Sequence, residues 1–221
     1  MTNFIKGPMK DDGSYTDSRR VFFDNKNKLI HLTNTPVKYL FFGDSITELL
    51  EETVFLSTPE GLTINRGIAG DTANFMKERL KADVLQLKPE NLILLAGTND
   101  LAQMIVQGIE SEENMIHRVY NDLIHMVEQA LEEGIQVYLC AIPPTNEAYQ
   151  YHREKKQLIP AINKRLEEYA KGQEGVVYVD YYSALVDENQ RLIDDYSRDG
   201  LHISGEGYRV MRETLYNWID D

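Results

Sequence analysis

The sequence V-K-Y-L-F-F-G-D-S-I-T-E occupies residues 37–48 of a chain of 221 residues. Its apolar part, Val37–Phe42, lies between Pro36 and Gly43, and a short apolar run with such borders is typical of a buried strand. Ser45, just after that strand, would lie at the start of a helix, where free backbone N–H groups can stabilise a developing negative charge. The segment therefore predicts a buried strand that leads into a helix.

Further strands and helices alternate along the rest of the chain. Apolar runs predict four more strands, at Leu62–Asn65, Asn91–Ala96, Ile135–Ile142 and Val176–Val179. Helical spacing predicts helices at about Thr72–Leu80, Glu112–Glu133, Lys155–Ala170 and Gly205–Trp218. The helix from Glu112 is the clearest, because its apolar residues recur every three or four positions and Ser111 can cap its start.

This alternation predicts the fold class. Strands that alternate with helices form a parallel sheet with helices on both faces, a three-layer α/β sandwich. Five strands fit the flavodoxin-like order 2-1-3-4-5, in which ligands bind beyond the carboxyl ends of the strands, near the switch between strands 1 and 3. The length suits a single domain. We assign residues 37–221 to this domain and expect residues 1–36, which are polar and mixed, to form an extended lead-in packed on it.

The charge of the chain disfavours several classes of partner. Lys and Arg number 23 against 36 Asp and Glu, which gives a formal net charge of −13 and disfavours nucleic acids and anionic lipid surfaces. The first residues lack the apolar core of a secretory signal, and no run approaches the ~20 apolar residues of a membrane span. We expect a cytoplasmic protein that is not an integral membrane protein, and we leave a homo-oligomer open. The single cysteine, Cys140, lies in an apolar run and is expected to be buried.

Four polar blocks fall at the predicted carboxyl edge of the sheet. G-D-S at 43–45 follows the first strand, and Gly70 lies in G-I-A-G-D-T after the second strand. Asn99 lies in G-T-N-D after the third strand, and D-G-L-H at 199–202 precedes the last helix. Each block alone has an ordinary explanation as a turn or a helix cap. Together they supply the nucleophile, base, orienting carboxylate and oxyanion donors that acyl transfer requires.

In these blocks the chain resembles the SGNH/GDSL hydrolase family, and in particular bacterial esterases similar to the platelet-activating-factor acetylhydrolase catalytic subunit. The family is named after Ser, Gly, Asn and His in four separate blocks, which match Ser45, Gly70, Asn99 and His202. The resemblance runs from about residue 37 to the C-terminus. One departure is G-I-A-G where many relatives have G-I-G-G; Ala69 could narrow the backbone near the oxyanion site, but Gly70 is kept.

The resemblance implies a Ser-His-Asp mechanism. Ser45 is the expected nucleophile, His202 is its base, and Asp199 is the carboxylate that orients the imidazole. The expected oxyanion hole consists of the backbone N–H groups of Ser45 and Gly70 and the side-chain amide of Asn99. No cofactor is expected, and no cluster in the sequence has the spacing of metal ligands.

The expected activity is that of a serine esterase that cleaves small acyl esters, acetyl above all, because no long apolar lid segment is evident. The expected partner is therefore a small-molecule ester. The apolar loop Leu101–Ile109 and the stretch Pro143–His152 either line the acyl or alcohol pocket or pack on neighbouring helices. Relatives act on acetylated sugars, short-chain lipids and thioesters, so a thioesterase or a lysophospholipase-type lipid hydrolase is one alternative.

A second alternative, from another class, is a flavodoxin-like ligand-binding module. Such a module needs a phosphate loop rich in Ser, Thr and Gly after the first strand, whereas Asp44 and Glu48 would repel a phosphate group. In the esterase interpretation Asp44 is a supporting residue of the catalytic site. An α/β-hydrolase is disfavoured because Thr47 stands at the last glycine position of its G-x-S-x-G elbow.

Overall fold

The computed structural model describes residues 4–9, 13–108 and 111–219, and its centre is a parallel five-stranded sheet. The strands are β1 (Val37–Gly43), β2 (Leu62–Gly67), β3 (Asn91–Leu95), β4 (Gln136–Cys140) and β5 (Val176–Val179). They lie in the order β2-β1-β3-β4-β5, which confirms the predicted α/β class and strand order. Gly43 pairs with both Gly67 and Leu95, so that β1, β2 and β3 end at one level.

Helices cover both faces of the sheet. In the described ranges they are α1 (Tyr15–Thr33), α2 (Ser45–Glu48), α3 (Glu52–Phe55), α4 (Ala73–Asp83), α5 (Thr98–Gln107), α6 (Glu112–Glu132), α7 (His152–Lys171), α8 (Tyr181–Leu185) and α9 (Gly205–Tyr216). Side chains alternate along β1, so Leu40 and Phe42 pack with α4 to α7, whereas Tyr39 and Phe41 pack with α2, α3, α8 and α9. The sheet is buried on both sides, which explains the nearly continuous apolar run in β1.

The segment predicted as the loop Leu101–Ile109 is instead helical as far as Gln107. Ile109 lies outside the described residues. Leu101 and Met104 are buried in the core at helical spacing, and this spacing is the signal that the loop prediction overlooked.

The extended lead-in predicted for residues 1–36 is wrong for most of its length, because Tyr15–Thr33 form the helix α1. Ser14 caps this helix by accepting a hydrogen bond from the Asp17 N–H. The buried side chains of the helix are Asp17, Arg20, Phe23 and Asn27. Since most of these are polar, α1 lacks the inward apolar stripe by which helices are recognised in a sequence. The helix packs against α4, and none of the described helices, α1 included, combines the length and apolarity of a bilayer crossing.

Candidate active site

The turn between β1 and α2 holds Ser45 at the carboxyl edge of the sheet. Gly43 ends β1 where space is tight, since a Cβ atom there would lie 2.5 Å from the Leu95 carbonyl oxygen. Asp44 caps α2, because its Oδ1 atom accepts the Ile46 N–H at 3.0 Å. Ser45 follows at the first helical position. The turn therefore presents one hydroxyl group at the edge where ligands bind in sheets of this topology.

His202 and Asp199 form a chain of polar contacts with Ser45. The His202 Nε2 atom lies 3.1 Å from the Ser45 Oγ atom, and the His202 Nδ1 atom lies 2.7 Å from the Asp199 Oδ2 atom. The other carboxylate oxygen, Oδ1, accepts the backbone N–H groups of Leu201 at 3.0 Å and His202 at 2.8 Å. Burial alone would raise the pKa of Asp199, but hydrogen bonds from the His202 ring and the two N–H groups lower it to about 2. The arrangement keeps a charged carboxylate on one side of the imidazole and a hydroxyl group on the other.

The loop at residues 199–202 is fixed by the segment that precedes α7. Gly200 has a φ of +77°, and a Cβ atom there would lie 2.7 Å from the Tyr149 backbone nitrogen. The Gly200 carbonyl accepts the Asn146 N–H at 3.1 Å. The glycine in D-G-L-H is therefore required by the backbone. The sequence analysis allowed two roles for the stretch Pro143–His152, as a pocket wall or as a packing segment. In the structure this stretch supports the loop that carries the imidazole.

Gly70, on the loop before α4, and Asn99, at the start of α5, are joined through Asp71. Gly70 has a φ of +79°, a conformation that favours glycine. The Asn99 Nδ2 atom donates a hydrogen bond to the Asp71 carbonyl at 2.9 Å, and an amide nitrogen carries a second hydrogen that can serve a ligand. The Ile68 N–H donates to the Gly43 carbonyl at 3.1 Å. The Gly70 loop and the start of α5 are thus both connected to the end of β1.

A buried arginine that the sequence analysis missed holds these loops together. Arg79, on α4, is fully buried, and its Nε and Nη1 atoms lie 2.6 Å from the Asp71 carboxylate and 2.9 Å from the Asp83 carboxylate. Its Nη2 atom donates to the Gly43 carbonyl at 3.1 Å. These partners replace the water that the guanidinium loses on burial. The available sequence signal was its position three residues after Met76, on the buried face of α4.

The helix α1 reaches the same site through Glu48. The Glu48 Oε1 atom accepts a hydrogen bond from the Tyr15 hydroxyl and forms an ion pair with Arg19, whose Nε atom lies 3.1 Å away. The Glu48 Oε2 atom accepts the Ala69 N–H at 2.5 Å. Because Ala69 immediately precedes Gly70, a single carboxylate connects the N-terminal helix to the Gly70 loop. The contribution of the first residues to the site could not be read from the sequence, since it depends on these contacts.

Two buried titratable groups lie near the Ser45 turn. Burial raises the pKa of Asp44 to about 7. Burial also lowers the pKa of Lys155 to about 8, against the opposing attraction of Asp44 and Asp100. The Lys155 Nζ atom donates to the Thr98 carbonyl at 2.8 Å, so this lysine of α7 anchors the start of α5, where Asn99 lies. The sequence contained a signal for this role, because Lys155 has the same helical spacing as the apolar residues on the buried face of α7.

We expect the substitution Asp44→Asn to stabilise the protein at pH 8 but not at pH 4. Because burial raises the pKa of Asp44 from 3.8 to about 7, the unfolded chain loses this proton at lower pH than the folded protein. The contribution of the protonated group to the free energy of unfolding is therefore complete below pH 3.8. It decreases as the pH rises and is lower by about 4 kcal/mol at pH 8. Asparagine keeps an acceptor for the Ile46 N–H and carries no charge.

The measurement is the Tm of wild type and Asp44→Asn at pH 4, 6 and 8. Asp180→Asn is the matched control, since Asp180 also caps a helix, through the Ser183 N–H at 3.0 Å, but is only partly buried. A Tm difference between wild type and Asp44→Asn that does not change with pH would contradict the raised pKa.

The similarity of this chain to known proteins covers most of its fold. A model of the GDSL-like lipase/acylhydrolase family matches residues 41–210, which include all the loops described above. A curated relative, the uncharacterized lipoprotein YqeF of Bacillus subtilis (strain 168), is 30% identical over 89 residues. That match spans 40% of this chain and 35% of the relative, so it concerns only part of either protein.

Two solved structures are similar along nearly their whole length. A candidate acylhydrolase from Bacteroides fragilis NCTC 9343 is 29% identical with a TM-score of 0.74, and the match covers 93% of this chain and 97% of that one. A GDSL-like lipase from Bacteroides thetaiotaomicron VPI-5482 is 32% identical with a TM-score of 0.69, and the match covers 86% of this chain and 95% of that one. The overall fold is therefore shared with both proteins.

Proposed function

The chain belongs to the GDSL-like lipase/acylhydrolase family and hydrolyses carboxylic ester bonds, and we propose that it does so as a serine esterase with Ser45, His202 and Asp199 as its triad. Family membership confirms the resemblance predicted from the four sequence blocks and favours an enzyme over a ligand-binding module. The observation that carries the proposal is the unbroken contact from hydroxyl to imidazole to carboxylate, at 3.1 and 2.7 Å.

The proposed reaction proceeds through an acyl-enzyme. The Ser45 Oγ atom attacks the ester carbonyl while the His202 Nε2 atom accepts its proton, and Asp199 holds the Nδ1–H and stabilises the imidazolium. When the tetrahedral intermediate breaks down, the bond from the carbonyl carbon to the leaving oxygen breaks and His202 returns the proton to that oxygen. A water molecule then attacks the acyl group with His202 again as base, which releases the acid and free Ser45.

We propose that the Ser45 N–H, the Gly70 N–H and the Asn99 side-chain amide form the oxyanion hole. Ser45 is the first residue of α2, so its N–H has no acceptor within the helix. Asn99 keeps one amide hydrogen beyond its bond to the Asp71 carbonyl. Donors held in place before the reaction stabilise the developing charge without a reorganisation cost. Asp44 supports this site by capping α2 and so fixing the Ser45 N–H.

We propose a small acyl group, with acetyl as the first choice. Leu101 and Met104, from the segment predicted to line a pocket, are 0% and 4% exposed and pack in the core. The Tyr149 ring stacks edge-on against the Tyr151 ring at 5.6 Å, and the Lys155 ammonium lies 4.6 Å from the Tyr149 ring centre. Leu101 and Met104 are therefore not available to line a long acyl channel, and the two tyrosine rings pack on each other.

A series of p-nitrophenyl esters from acetate to dodecanoate tests the acyl group. We expect kcat/KM to be highest for the acetate and about tenfold or more lower for the hexanoate, because each misplaced methylene group weakens transition-state binding. Ser45→Ala measured with every ester gives the background. A maximum at octanoate or beyond would contradict the small acyl group and favour the lysophospholipase-type alternative.

Partner and location follow as parts of the same proposal. A small-molecule ester is the proposed substrate, and the charge of −13 supports the absence of nucleic acid among the partners. The cytoplasm is the proposed compartment, and the oligomeric state stays open.

A further inference from the structure

An apolar groove lies between α3 and α9 and reaches Ile203, the residue after His202. It has a volume of about 770 Å³, and its walls include Leu49, Val54, Phe55, Ile203, Tyr208 and Arg212. Ile203 and Gly205 also line a cavity of about 270 Å³ that is bordered by Asp199 and His202. The groove and the cavity beside Asp199 and His202 therefore adjoin each other. Leu49 and Val54 are 60% and 71% exposed, so an apolar ligand in the groove would remove both from water.

The groove has a fixed position relative to the nucleophile. The Tyr208 hydroxyl, on the α9 wall, donates to the Ile46 carbonyl at 2.6 Å, and Ile46 is the residue after Ser45. Leu49, on the opposite wall, follows Ser45 by four residues, about 6 Å along a helix. Both walls of the groove are thus connected to the short helix that begins at Ser45.

The groove also contains one arginine, Arg212, that has no carboxylate partner in the part of the chain that the structure describes. Arg209 is neutralised by Glu206 at 3.3 Å and by Glu213 at 2.6 Å. Arg212, in contrast, donates through Nε to the Val54 carbonyl at 3.2 Å and stacks on the Tyr216 ring at 4.2 Å. No carboxylate of the described residues lies within ion-pair distance of Arg212.

Arg212 thus places a positive charge among the apolar side chains of the groove, on a chain with a net charge of −13. Glu51 also lines the groove, where its Oε1 atom accepts the Thr53 hydroxyl at 3.0 Å. The guanidinium of Arg212 still has its terminal nitrogens to offer, and these match the geometry of a carboxylate or phosphate group.

We propose that this groove binds the leaving group of the ester, an alcohol whose apolar segment ends in an anionic group held by Arg212. The inference rests on the proposed function, because it uses the direction of the reaction at His202. The imidazole that gives its proton to the leaving oxygen must face the leaving group, and Ile203 lines both the groove and the cavity bordered by that imidazole. Arg212 lies seven residues beyond Gly205 on α9, about 10 Å along the helix, which sets the length of the apolar segment.

Three acetate and methyl esters of matched size test the proposal. Octyl acetate and methyl nonanoate are isomers that place the same chain on the leaving-group side or on the acyl side. The acetate ester of ω-hydroxyoctanoate has the same leaving-group chain as octyl acetate and adds a terminal carboxylate. We expect kcat/KM to be higher for octyl acetate than for methyl nonanoate, and about tenfold higher again for the anionic acetate ester.

Variants at the two arginines assign the anionic preference to one side chain. Arg212→Gln should abolish the roughly tenfold ratio of kcat/KM between the anionic and the neutral acetate ester, and Arg212→Lys should retain most of it. Arg209→Gln removes a charge from the same groove and should leave the ratio as in wild type. Because a ratio within one variant is compared, a general loss of folded protein does not affect the result.

Each failure points to a different conclusion. A wild-type ratio near one, or an equal fall in Arg209→Gln and Arg212→Gln, overturns the role of Arg212. Faster cleavage of methyl nonanoate than of octyl acetate overturns the assignment of the groove to the leaving group. Absence of wild-type activity on p-nitrophenyl acetate, or full activity in Ser45→Ala, overturns the proposed function itself.

Discussion

Ser45→Ala is expected to lower the kcat for p-nitrophenyl acetate on the order of 10⁶-fold, because loss of a serine nucleophile removes the acyl-enzyme route as a whole. The fold should be retained. Asp44, not Ser45, caps α2, and the contact that the structure gives the Ser45 hydroxyl is with the His202 imidazole. We therefore expect the Tm to stay within a few degrees of the wild-type value. Turnover and Tm measured on one preparation separate the chemical effect from unfolding.

A serine in a second Asp-capped helix provides the control for this experiment. Ser183 lies in α8, which Asp180 caps, and Ser183 is exposed. Ser183→Ala should keep both turnover and Tm. If Ser45→Ala hydrolysed the ester at the wild-type rate, another group would have to be the nucleophile.

The parallel sheet could be predicted because its strands are apolar on both faces. Val37–Phe42 forms a nearly continuous apolar run, and this pattern distinguishes a strand covered on both sides from one that faces water. Since parallel strands end at one edge, the turns after β1 and β3 had to lie side by side, and Ser45 and Asn99 with them. The apolar pattern of the buried strands therefore allowed the position of the site at the sheet edge to be predicted.

Buried polar side chains explain what the sequence pattern missed. The buried face of α1 includes Asp17, Arg20 and Asn27, and a pattern that expects apolar residues on the inward face cannot recognise such a helix. Arg79 and Lys155 are charged residues in helices, where most such residues face water. Their burial depends on carboxylate and carbonyl partners from distant segments.

The sequence could name the residues that we propose as the triad, but not the distance between them. Ser45 and His202 are separated by 157 positions, and their side chains meet at 3.1 Å. That distance depends on the turn at Gly200 and on the bond from the Tyr208 hydroxyl to the Ile46 carbonyl. Both are contacts between segments that have no local signal for each other.

The substitution Asp199→Asn should lower kcat by about 10³- to 10⁴-fold with little change in KM. The His202 Nδ1 atom needs an acceptor, so that its Nε2 atom is free to take the proton of Ser45. An amide nitrogen in place of the Asp199 Oδ2 atom would donate to Nδ1 and hold the imidazole in the wrong tautomer. The amide oxygen can still accept the N–H groups of Leu201 and His202, so the loop keeps its shape. Steady-state kinetics with p-nitrophenyl acetate measure the loss.

The pH dependence of that loss distinguishes a tautomer effect from a charge effect. Although burial raises it, the pKa of Asp199 is lowered to about 2 by its hydrogen bonds, so the wild-type carboxylate stays ionised from pH 5 to 9 and does not titrate there. The activity lost in Asp199→Asn should therefore not return as the pH is raised within this range. Asp195→Asn removes the same charge four residues earlier and should retain wild-type turnover. A deficit below tenfold in Asp199→Asn, or an equal one in Asp195→Asn, would show that the carboxylate acts only through its general electrostatic field and not through the Nδ1 contact.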